Sequence, residues 1–184
     1  ITFAYGGGTC GALGGGAGFS TFGETSLKSA VITTGGNLSV AAGGNLTMDG
    51  GGALSAHTVY GDLVLSGANI NIADTRITAG GSAALVATGD FTIRGNTTST
   101  YVHSGGAMNV TAGNLSIYGG HAADSYADPL MLSGDIYAGI LSLGPQNVDV
   151  SGGTIFIQAG DANTGYGGGF AAIEVLGGAD QSIK

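Results

Sequence analysis

From about residue 28 the chain repeats one short apolar–polar pattern. Glycine, followed by Asn, Asp or Ala, precedes an apolar residue, a small polar residue and a second apolar residue. Gly36-Asn37-Leu38-Ser39-Val40 is followed eight residues later by Gly44-Asn45-Leu46-Thr47-Met48, and then by Gly52-Ala53-Leu54-Ser55-Ala56. Further copies are Gly61-Asp62-Leu63-Val64-Leu65, Gly89-Asp90-Phe91-Thr92-Ile93, Gly106-Ala107-Met108-Asn109-Val110 and Gly113-Asn114-Leu115-Ser116-Ile117. Looser ones are Gly134-Asp135-Ile136-Tyr137-Ala138 and Gly153-Thr154-Ile155-Phe156-Ile157. Alternation with a period of two predicts strands that send one set of side chains inward and the other outward. Each strand spans only about four to six residues, and no segment of helical length carries a helical apolar spacing. The Gly-Asn and Gly-Asp pairs are expected to turn the chain through positive-φ or Asx conformations.

Many short strands with short turns fit an antiparallel sandwich or a β-solenoid. The solenoid is favoured because the strands are very short, the turn chemistry recurs, and stacking would set Asn above Asn as a side-chain ladder. The expected interior is small and aliphatic, with no Trp in the chain. Related units recur about every 20 residues, so residues 28–176 would make roughly seven coils, a rod of about 34 Å at ~4.8 Å per coil. The expected organisation is a solenoid over 28–184 behind a Gly- and aromatic-rich arm or extended strand over 1–27. Two stretches interrupt the repeat and read as loops, Gly119–Pro129 and Gly160–Gly169.

The run from Gly35 to Met48, Gly-Gly-Asn-Leu-Ser-Val-Ala-Ala-Gly-Gly-Asn-Leu-Thr-Met, resembles the repeats of filamentous-haemagglutinin-type exoproteins of the two-partner-secretion kind. The resemblance covers about residues 31–117 and thins to single units by 157. It implies an all-β, right-handed parallel β-helix on the bacterial surface, usually engaged in adhesion. That family's amino-terminal secretion signature has no match here. With Ile1 first and no signal-peptide pattern, the chain reads as a processed protein or an internal piece of a longer one.

Composition narrows the function. Charged residues make up 9% and hydrophobic ones 43%, with a mean hydropathy of +0.33, which is unlike a disordered chain. Glycine fills 39 of 184 positions without a strict period of three, which excludes collagen. The net charge of −8 reflects a shortage of bases, namely Lys28, Arg76, Arg94 and Lys184. That is too few to neutralise a run of nucleic-acid phosphates or to dock on anionic lipid. No stretch of about 20 apolar residues predicts a transmembrane helix. Few lysines, one cysteine and abundant Gly, Ser, Thr and Asn point to a secreted, extracellular or cell-surface protein.

Candidate chemistry is sparse. His57, His103 and His121 lack ligand spacing, and Asp49, Asp62, Asp90, Asp135 and Asp149 recur near turns as expected Asx-turn formers. No catalytic set is assigned, and no cofactor beyond a possible calcium. Asp161 and Asn163 alternate as oxygen donors before Gly165, a partial calcium loop without its closing Glu. His121, Asp124 and Asp128 are a second oxygen-rich group. The sequons at Asn37, Asn45, Asn96, Asn109 and Asn114 largely follow from the repeat. Ice binding would need flat ranks of outward threonine, and Thr33, Thr47, Thr92 and Thr111 read as too scattered. The expected function is a non-enzymatic surface adhesin or the subunit of an extracellular fibre or sheath. Its partners would be copies of itself or a host or matrix glycan or protein. Self-assembly would draw on Phe3, Tyr5, Cys10, Phe19 and Phe22, through strand addition and end-to-end stacking. The alternative is a solenoid polysaccharide lyase or hydrolase.

Overall fold

The computed structural model describes residues 15–51, 55–120, 136–150, 152–160, 169–176 and 178–184, and the backbone of 2–4 and 9–12. All its regular structure is β, in 21 strands that come three to a coil. The first coil holds β1 (Thr2–Ala4), β2 (Thr9–Ala12) and β3 (Ala17–Thr21), and the second β4 (Thr25–Lys28), β5 (Val31–Thr34) and β6 (Leu38–Ala42). Next come β7 (Leu46–Asp49), β8 (Ser55–Val59) and β9 (Leu63–Gly67), then β10 (Ile70–Ala73), β11 (Thr75–Ala79) and β12 (Ala83–Ala87). The fifth coil is β13 (Asp90–Arg94), β14 (Thr100–Ser104) and β15 (Met108–Thr111); the sixth is β16 (Asn114–Tyr118), β17 (Ile136–Ser142) and β18 (Gln146–Asp149). The last is β19 (Ile155–Gln158), β20 (Gly169–Val175) and β21 (Gln181–Ile183).

Every third strand pairs in parallel, giving three seven-stranded sheets that begin at β1, β2 and β3 and end at β19, β20 and β21. The chain is therefore a parallel β-helix of seven coils. Residues 1–27 supply the first strand of each sheet, with β1 on β4, β2 on β5 and β3 on β6, so the strand order shows no break at residue 27. The coils are longer than the expected 20 residues and uneven. Thr25 faces Leu46, Leu46 faces Ile70 and Ile70 faces Phe91, steps of 21, 24 and 21 residues.

Most of the unevenness sits at one corner. Between the second and third sheets, coils two to six use three connecting residues each, at 35–37, 60–62, 80–82, 105–107 and 143–145. Between the first and second sheets the connection varies from Asp74 alone to 95–99, 119–135 and 159–168.

Glycine at the constant corner makes room for the neighbouring coil. Gly36, Gly61, Gly81, Gly106 and Gly144 stack in one column, each donating its N–H to the glycine carbonyl one coil back, at 2.9–3.1 Å from Gly61 on. A Cβ on Gly144 would lie 2.7 Å from the Gly106 carbonyl carbon, closer than packing permits. The positive φ expected at these turns belongs elsewhere, to Ser29, Asp74, Gly51, Gly152 and Gly178. The Asx expectation is corrected in the same way. Asn37 Oδ1 accepts the N–H of Asp62, and Asp62 Oδ1 that of Ser82, each one coil on. Asp49, accepting the N–H of Gly51, does make a local turn bond of the expected kind. Asn does stack above Asn, with Asn69 Nδ2 donating to Asn45 Oδ1 at 2.8 Å.

The inward ranks form one continuous core. Leu46, Ile70, Phe91 and Leu115 stack in the first sheet, and Met48, Ile72, Ile93 and Ile117 beside them. Val40, Leu65, Leu85, Val110 and Val148 stack in the third. Full burial of each such side chain stabilises by roughly 1.5–3 kcal/mol.

Candidate functional site

The candidate site lies at the variable corner, where the sixth residue of the repeat units beginning at Gly89, Gly113 and Gly153, in three successive coils, comes into register. Arg94 at the end of β13 faces Tyr118 at the end of β16, which faces Gln158 at the end of β19. The Arg94 guanidinium carbon sits 4.5 Å from the centre of the Tyr118 ring, a cation–π distance. Tyr118 in turn contacts the Phe156 ring, with centroids 5.6 Å apart, and Phe156 stays 44% exposed.

A cleft of about 180 Å³ opens here, lined by Arg94, Asn96, Tyr118 and Gln158. Ala159 and the glycines Gly95, Gly119, Gly120 and Gly160 form the rest of its lining, so much of it is bare peptide. Those glycines are enforced by packing. A Cβ on Gly120 would run into the Gly95 carbonyl, and one on Gly160 into the Gly120 carbonyl. Asp74 fixes the near rim. It is buried, has φ 47°, and its Oδ1 accepts the N–H groups of Asn96, Thr97 and Thr98 at 2.9–3.1 Å. Its Oδ2 takes the Asn96 amide at 3.4 Å. One carboxylate thus organises the five-residue connection that borders the cleft.

A second aromatic cluster lies on the outer side of the second sheet. Arg76 reaches over Tyr101 at 5.8 Å, and Tyr101 meets Tyr137 edge-on at 6.4 Å. Tyr137 is buried, and burial with the nearby Glu174 charge raises its phenol pKa. Its hydroxyl has no hydrogen-bond partner among the described residues.

The histidines do not meet. His57 points inward in β8, while His103 is half-buried on the outward rank between Thr78 and Leu141. Burial lowers the pKa of both, that of His57 to about 4. Among the described residues no group of three or more His, Cys, Asp or Glu could hold a metal ion. Asp161 and Asn163, like His121, Asp124, Asp128 and Asp135, lie outside the described residues. No described helix is long and apolar enough to cross a membrane.

The self-assembly candidates separate. Phe22 is fully exposed at a corner of the first coil, whereas Phe19 is half-buried against the core, in register with Val40. Phe3 and Cys10 lie on β1 and β2, with side chains outside the described residues, as is Tyr5. The threonines prove less scattered than the sequence suggests. Thr47 and Thr92 share an outward rank with Ser26, Asn71 and Ser116, and Thr33 aligns with Thr58 and Thr78. Each rank is nevertheless single file, bordered by Arg94 and Tyr118 or by Arg76 and Tyr101, so neither forms a flat threonine face.

Sequence reasoning missed the pairing of Arg94 with Tyr118. Its signal was present: both are the sixth residue of units that begin at Gly89 and Gly113. No protein-family model, curated protein or solved structure matches this chain.

Proposed function

We propose that this chain is a non-enzymatic, extracellular structural and adhesive solenoid whose coils continue end to end from one copy to the next. The observation that carries the reading is the state of the last coil. The outer edges of β19, β20 and β21 pair with no described strand, and Ile157, Phe170, Leu176 and Ile183 stand about half exposed there. The first coil offers three strands in the same parallel order at the opposite end. Contact between unlike ends of identical copies does not close on itself, so it propagates as a filament. An extracellular place follows from composition and from the resemblance to filamentous-haemagglutinin-type repeats. Adhesion is favoured by the corner that gathers the variable connections and the cleft, since binding residues concentrate in loops held by a rigid scaffold.

Negative-stain electron microscopy of native material tests the reading. Uniform filaments with an axial repeat of about 34 Å per chain are expected. Dispersed short particles at high concentration would remove the fibre and leave a single adhesive rod. Incubation with plant and bacterial polysaccharides should release no new reducing ends; release would make the chain an enzyme.

A further inference from the structure

We propose that the corner cleft binds a sugar residue carrying one carboxylate, with Arg94 as its charge partner; this rests on the adhesive part of the reading above. Arg94 is one of only four bases, and the only one that lines this cleft. Its guanidinium lies against the Tyr118 ring and makes no ion pair among the described residues. A guanidinium over a ring face still has N–H groups to offer, and a carboxylate is the planar partner they fit in a bidentate pair. The hydroxyls of a pyranose meet matching groups nearby. Asn96 is anchored through its Nδ2 to Asp74, which leaves its Oδ1 as an acceptor, and Gln158 brings a further amide. The exposed Phe156 ring beside Tyr118 suits the apolar face of a sugar ring. The glycines of the lining present bare peptide groups to the cleft as further hydrogen-bonding partners. The net charge of −8 disfavours a polyanion, so the ligand is a short saccharide with a single acidic residue.

The test titrates the full chain with the methyl glycosides of glucuronic and galacturonic acid, followed by proton–nitrogen NMR at the Arg94 side chain and the Gly119 and Gly120 amides. Methyl glucoside, methyl galactoside and sodium acetate serve as controls. At least one uronate should bind about tenfold or more tighter than its neutral counterpart and than acetate. Arg94→Gln should abolish that preference with an unchanged melting curve, while Lys28→Gln should retain it. Equal binding of acid and neutral sugar, binding no better than acetate, no binding, or a preference that survives Arg94→Gln would each overturn the assignment. Microscopy of the same samples separates the two proposals. Filaments without sugar preference overturn the cleft and keep the rod. Preference in dispersed particles keeps the cleft and removes the fibre.

Discussion

His57 occupies an inward position that Ile32, Ile77, Val102, Ile140 and Ile173 fill in the neighbouring coils. The ring is retained there by hydrogen bonding: Nδ1 accepts the N–H of Ile32 at 3.2 Å, and Ser55 Oγ lies 3.4 Å from Nε2. Ser55 itself donates to the Ala30 carbonyl. A buried ring that accepts at Nδ1 must stay neutral there, and burial depresses its pKa to about 4. The unfolded chain, with an ordinary histidine near 6.5, takes up the proton first. Stability is therefore full above pH 6.5, falls as pH drops below it, and levels out below about 4. At pH 4.5 the loss from this ring should be about 2–3 kcal/mol. His57→Asn retains an acceptor near Nδ1 and removes the titration. Urea unfolding at pH 7.5 and 4.5 should show an acid loss smaller by that amount in the variant; an equal loss in both proteins would place the acid sensitivity elsewhere. His103 shifts in the same direction, so the difference between proteins, not the wild-type curve, isolates His57.

At the scale of the element, the coil is set by its corners as much as by its strands. The glycine column at the constant corner is a steric requirement, so its substitutions should cost more than helix or strand propensity would suggest. Gly144→Ala would press a methyl group onto the backbone of Gly106 and Ala107 at 2.7–2.9 Å. We expect a loss of about 1–3 kcal/mol in denaturant unfolding. Gly18→Ala in β3, with nothing within 4 Å of the added carbon, should be neutral within about 0.5 kcal/mol. Equal effects would mean that the column packs more loosely than its hydrogen bonds indicate. The same contrast explains what could be read from the sequence. Apolar alternation after each glycine marked the strands, because period two and burial on one side are written directly in residue type. It did not reveal why glycine is there: a requirement for space and a requirement for positive φ select the same residue. Nor did it reveal coil length. The added residues fall in polar connections such as 95–99, whose conformation depends on Asp74 from the previous coil. The candidate site was half legible. Equivalent positions in aligned units put Arg94 beside Tyr118, but the cleft exists only because Gly95, Gly120 and Gly160 let the coils close up at that corner.

At the scale of the molecule, each coil is stabilised by the coil on either side, and the outer edges of β19, β20 and β21 pair with no described strand. At the last coil the inward ranks continue into Ile157 and Ile183, which are 45% and 49% exposed although their register matches the buried Ile117 and Val148. A first coil from another copy would bury those two ranks and pair three open strand edges at once. Charge placed there should block the contact while leaving the interior coils untouched, because unpaired edges are kept apart by lysines that would have to be desolvated on stacking. Ile157→Lys with Ile183→Lys should therefore abolish filaments in electron microscopy and give a particle of single-chain size in light scattering. The melting temperature should fall only slightly, since both side chains are already half in solvent. Lysine introduced instead at Val64 and Val86, exposed on the flank of the third sheet, adds the same charge away from the ends and should leave filaments intact. Filaments that survive the end substitutions, or that are lost equally with the flank substitutions, would show that assembly runs through the sides of the rod and not through its coils.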